Sequence, residues 1–146
     1  MPVSLTDGGD PTQAASMLSP VRPSLSPPAP AGVLVLADGA AIVVFAVIGI
    51  VSHTGGVSPT ALAEDAVPLL AGWFAAAAVF RLYARRTTRA LLSTWVVGIP
   101  LGVAVRAGAL GRLDEPRQLA FLATTLVLTL AFVVVARVAL GAVGRA

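Results

Sequence analysis

Val33 to Val51 reads VLVLADGAAIVVFAVIGIV and carries a single charge, Asp38. As a helix the run rises ~1.5 Å per residue and covers roughly 28 Å. That is close to the ~30 Å hydrocarbon core of a bilayer, so the run reads as a membrane span. Asp38 falls about a turn and a half from its start. A carboxylate at that depth is costly and needs a partner, a water path or a neutral form. Taken at 100° per residue, Ile42, Phe45, Gly49 and Ser52 lie within about 40° of Asp38. That face is expected to point into a bundle, with Gly49 serving close helix packing.

The rest of the chain agrees with a membrane reading. Hydrophobic residues make up 57% and charged residues 12% of the sequence, and the mean hydropathy is +0.90. Soluble domains carry about twice that share of charge. Three further apolar runs follow, at Ala66–Tyr83, Leu91–Leu110 and Leu119–Leu140. The expected architecture is an all-α bundle of four transmembrane helices over residues 32–141. Residues 1–31 hold seven of the eleven prolines and read as a disordered tail. The tail lacks a basic start and its apolar run begins late, so a retained first span fits better than a cleaved signal.

Cysteine is absent and His53 is the only histidine. A thiolate nucleophile, a disulfide and a multi-histidine zinc site are therefore not expected, and neither is a cofactor. All ten basic residues are arginines. No basic stripe is interleaved with aromatics, which argues against nucleic-acid binding. Arg81, Arg85, Arg86 and Arg89 cluster after the second span, whereas Ser52–Asp65 holds no arginine or lysine. The positive-inside rule then places the second loop and both termini in the cytoplasm of a prokaryote, with the first loop outside the plasma membrane.

Depth decides which charges can meet. Counting along the spans puts Asp38 near the inner boundary and Arg106 near the outer one, about 16 Å apart. Arg81 matches Asp38 in depth and is its expected partner, with Arg137 in reserve near the fourth span's end, from where it can snorkel. Arg106 is level with His53, Glu64 and Asp65. Glu64 and Asp65 suit the start of a helix, where the macrodipole favours anions. Two polar layers are expected, an inner acid–base layer and an outer one. Gly72 begins a small-xxx-small pair with Ala76, and Gly98-Ile-Pro100-Leu-Gly102 combines close packing with a helix kink. Trp73 is expected to serve packing, and Trp95, Gly102 and Arg106 to share a face.

Several of these landmarks occur together. Ala37-Asp38, Phe45, Gly49-x-x-Ser52-His53, Gly72-Trp73, Arg81 and Pro100-x-Gly102-x-x-x-Arg106 resemble the prokaryotic membrane family called domain of unknown function 3054. The resemblance covers the four spans. It implies a four-helix membrane protein and implies no activity.

Two functions are compatible with these residues. One is a non-enzymatic structural or accessory membrane protein, favoured because no nucleophile, base and oxyanion donor cluster in the chain. Its partners would be the bilayer, a second copy or other membrane proteins. The alternative is a small oligomeric transporter or ion conductor using Asp38 as its intramembrane acid. Four spans rarely enclose a path alone, so that reading requires a dimer. Ser52 and His53 have no triad spacing to support an intramembrane enzyme.

Overall fold

The structure, a computed structural model, describes residues 29–113 and 116–141. The tail expected over 1–31 lies outside the described residues except for its last three, and so do Asp114 and Glu115 of the third loop. The described chain is all-α. Its helices are α1 (Ala31–Thr54), α2 (Pro59–Val79), α3 (Leu82–Arg85), α4 (Thr88–Ala109) and α5 (Arg117–Ala139). All but α3 are long and apolar enough to cross a membrane. Leu36, Val67, Val127 and Val135 stand outward, as lipid-facing side chains do.

The ends of the helices are set by local chemistry. Gly55 takes a left-handed φ of 73° and returns its N–H to the Val51 carbonyl, which stops α1. Ser58 then caps α2 by accepting from the Ala61 N–H at 3.0 Å, with Pro59 in the first helical position. The Ser58-Pro59 pair is thus a helix start. It draws Glu64 and Asp65 into the second turn of α2 and reduces the first loop to four residues, 55–58. Thr87 caps α4 in the same way, accepting from the Ala90 N–H at 3.2 Å.

The second span ends earlier than expected. Continuous helix to Tyr83 is interrupted after Val79, because Arg81 takes φ 54° and turns the chain. Arg86 does the same at φ 52°. A left-handed conformation costs a non-glycine residue about 1 kcal/mol or more. Two such residues bracket α3, and what they accomplish is to bring Leu82 and Tyr83 back beneath the bundle. Leu82 is fully buried there. Arg86 also donates from Nη1 to the Ala29 carbonyl at 3.0 Å, tying this turn to the start of α1.

The four long helices run up and down in a ring. Each packs on its neighbours in sequence, and α5 returns to α1; neither diagonal pair makes a close backbone approach. Short connections leave little else. We call the end holding the start of α1 and the finish of α5 the terminal end, and the opposite end distal. The core between the helices is built on Ile42, Leu69, Trp73, Ile99 and Val133, all fully buried.

The tightest interface joins α2 to α4. A Cβ on Gly72 would collide with the Gly98 carbonyl oxygen and the backbone of Gly102, and a Cβ on Gly102 would sit 2.8 Å from the Leu69 Cα. The glycines expected to pack do so against each other. Pro100 lies between them, and α4 continues through it as one helix. Gly49 does not pack: a Cβ there would meet nothing within 4 Å.

Glycine substitutions separate these two uses. Gly72→Ala should lower bundle stability in detergent by about 1–3 kcal/mol, because backbone cannot retreat from the added methyl. Gly49→Ala should be neutral or stabilising by up to about 1 kcal/mol, since it gains helix propensity and loses no contact. Thermal melts of both variants beside the wild type measure the difference.

Candidate functional site

At the terminal end α1 presents Asp38 and its neighbour in the ring, α5, presents Arg137. The Arg137 guanidinium grips the carboxylate with two bonds, Nε to Oδ1 at 2.9 Å and Nη2 to Oδ2 at 2.5 Å. Asp38 is completely buried and Arg137 nearly so, at 4% exposed. Arg81, expected in this role, lies exposed in the turn between α2 and α3. The correction follows from direction as much as depth. Helical side chains lean toward their own N-terminus. Arg137 near the end of α5 therefore leans inward to Asp38 and does not snorkel outward. Arg81 lost the same advantage when α2 ended before it.

The remaining valence of Asp38 is taken by a residue the sequence did not single out. The Tyr83 hydroxyl donates to Asp38 Oδ2 at 3.0 Å, and the Trp73 indole N–H donates to the Tyr83 oxygen at 3.2 Å. Trp73 is fully buried, as expected of a packing residue, and also supplies this polar link. Arg137 lies 5.9 Å from the centre of the Tyr83 ring, close enough for a cation–π contact. Burial, and then the Asp38 charge, push the Tyr83 hydroxyl well above its ordinary range, so it stays protonated and donating. The signal for Tyr83 was available only as a tyrosine beside a predicted span end, since its reach depends on the turn at Arg81.

The distal end carries the second polar layer. Arg106 near the end of α4 donates from Nε to Asp65 Oδ1 of α2 at 2.5 Å. Its guanidinium also lies 4.7 Å from the Phe121 ring centre. This pair lines a cavity of about 520 Å³ with Glu64, His53 and Gly49. The expected outer layer is thus assembled, with Asp65 as the direct partner of Arg106. Glu64 and His53 stand at the cavity's exposed rim. Trp95 points elsewhere, its indole N–H bonding the Leu126 carbonyl of α5 at 2.9 Å. Along α5, Thr124 bonds the Ala120 carbonyl at 3.0 Å and Thr129 bonds the Thr125 carbonyl, the i−4 pattern expected of threonine in a span.

The two layers are separate. Asp38 does not line the distal cavity, whose inner wall is made by Phe45, Leu69 and Phe132. Chemically, the terminal layer is a closed acid–base cluster with its partners in place, and the distal layer is an ion pair beside accessible space.

A family model described as "Protein of unknown function (DUF3054)" matches residues 35–140. The chain belongs to that family, in agreement with the resemblance carried by its polar landmarks. No curated protein and no solved structure matches the chain.

The Asp38–Arg137 pair should behave as a unit. Breaking a buried pair leaves an uncompensated charge and costs about 3–5 kcal/mol. Asp38→Ala and Arg137→Ala should each destabilise the bundle strongly, while the double variant recovers part of the loss. The double-mutant cycle should give a coupling above about 1 kcal/mol. The same cycle run with Arg81→Ala in place of Arg137→Ala should give almost none. Equal couplings in the two cycles would contradict the assignment.

Proposed function

We propose that this family member is a non-enzymatic structural or accessory protein of a prokaryotic plasma membrane. The observation that supports this reading is the state of Asp38. The carboxylate is fully buried, and both of its oxygens are bonded by Arg137 and Tyr83. A working acid in a transporter must exchange protons or ions with water on both sides. Asp38 is instead surrounded by donors that hold it in place. Its role is to fasten α1 to α5. Among the described residues, no triad of nucleophile, base and oxyanion donor supports an enzymatic reading.

The orientation belongs to the same proposal. Arg81, Arg85, Arg86 and Arg89 lie at or next to the terminal end, in or beside α3. The excess of arginine there supports a cytoplasmic terminal end, with His53, Glu64 and Asp65 on the opposite side. Reporter fusions that are active only outside the cytoplasm should signal after Gly56 and stay silent after Arg86. The opposite pattern would reverse the orientation.

Flux measurements test the function itself. Proteoliposomes loaded with a pH-sensitive dye and given a proton gradient should leak no faster than protein-free vesicles. Asp38→Asn protein should behave as the wild type does. A proton or cation flux that disappears in Asp38→Asn would make Asp38 a transport acid and replace the accessory reading.

A further inference from the structure

The distal cavity has features that the fold alone does not require. It lies among α1, α2 and α5 with the end of α4 beside it, and its volume of about 520 Å³ is that of a small-molecule site. The wall is mostly apolar, with Phe45, Phe121 and Phe132 supplying three rings. Ser52, His53, Thr54 and Glu64 form an exposed rim.

Gly49 keeps this space open. It lines the cavity, and a Cβ in its place would meet nothing within 4 Å. It sits inside α1 with no left-handed backbone and no close helix against it. Glycine weakens a helix interior, so its presence here is unfavourable for the helix alone. What it contributes is room beside the Asp65–Arg106 pair.

The polar groups in the wall define the kind of occupant. Asp65 and Arg106 neutralise one another, and the Arg106 face is covered by Phe121. Arg112, also in the wall, has a partner of its own. Glu64 has no ion-pair partner among the described residues, so it leaves a negative charge at the rim. Deeper in the wall, the fully buried Thr125 hydroxyl also lacks a hydrogen-bond partner among the described residues. A buried hydroxyl in that state is unusual and marks a place where a polar hydrogen can be accepted.

We propose that the distal cavity binds a small amphipathic cation, an ammonium group carried on an aryl or alkyl body. The body lies among the phenylalanine rings, where burial of apolar surface drives binding. The ammonium faces the Glu64 carboxylate at the rim, and a polar hydrogen on the body can reach the Thr125 oxygen deeper in the wall. A carboxylate-headed molecule of the same shape meets Glu64 as a like charge. This site is independent of Asp38 and of the accessory role argued above.

Calorimetric titration of the full-length protein in nanodiscs tests the proposal with three probes of one shape: phenylbutylamine, phenylbutanol and phenylbutanoate. The amine should bind saturably at one site per chain, roughly tenfold more tightly than the alcohol and more tightly still than the carboxylate. Glu64→Gln should weaken the amine roughly tenfold and leave the alcohol unchanged. Gly49→Leu should remove saturable binding of the amine while the thermal melt stays level or rises. Failure of the wild type to bind the amine saturably would overturn the proposal, as would equal affinity for amine and alcohol or a preference for the carboxylate. Full amine affinity in Gly49→Leu would overturn the location. If Gly49→Leu does not fold, Glu64→Gln, altered only at an exposed side chain, carries the test.

Discussion

A carboxylate inside an apolar bundle cannot stand alone, and most of the terminal end is arranged around that requirement. Asp38 takes two bonds from Arg137 and one from Tyr83, which is itself held by Trp73. Supplying the Tyr83 donor requires the chain to turn back after α2. That turn places Arg81 and Arg86 in left-handed conformations, at a cost of about 1 kcal/mol or more each. Burial of Leu82 and the anchorage of Arg86 on Ala29 offset the strain. A pair of this kind contributes little net stability over an apolar replacement. It contributes specificity: only one rotation of α1 and one of α5 bring the two groups together.

The ring is not packed evenly. Between α2 and α4 the glycines at 72, 98 and 102 let backbone touch backbone. On the α1 side the corresponding glycine, Gly49, faces empty space. The same residue type serves opposite ends because its environment differs. Where a partner helix offers its own glycine, removal of the side chain brings helices together. Where Phe45, Phe121 and Phe132 line open space instead, it leaves room in a cavity. One half of the bundle is closely packed and the other encloses room.

Much of this was legible in the sequence, and the misses share a cause. Span number, the all-α fold, the separation into two polar layers and the use of Gly72, Gly98 and Gly102 follow from local pattern and axial depth. The partner of Asp38 does not. Depth counting assigns Arg81 because it assumes that the second span continues to Tyr83. A left-handed arginine at position 81 has no sequence signature, so the break that removes Arg81 and delivers Tyr83 was invisible. Gly49 departs from its expected packing role for a related reason: spacing places it on the inward face of α1, but whether a helix or a void lies opposite is a property of three helices at once.

The two polar layers differ in what the fold needs from them. A ring of four helices has three edges joined by loops and one edge, between α1 and α5, joined by none. Asp38–Arg137 spans that unjoined edge and so closes the ring. Asp65–Arg106 spans α2 and α4, the edge already fastened by the glycine seam. Its contribution to closure is therefore small, and a partly exposed pair of this kind adds about 1 kcal/mol or less. With the seam fixing their helices, these side chains hold a constant position at the cavity wall whatever the ion pair itself contributes. Constancy of position is what recognition of a small molecule requires of a site. The terminal layer thus serves the architecture, and the distal layer is the part of the protein where chemistry is left over after the architecture is satisfied.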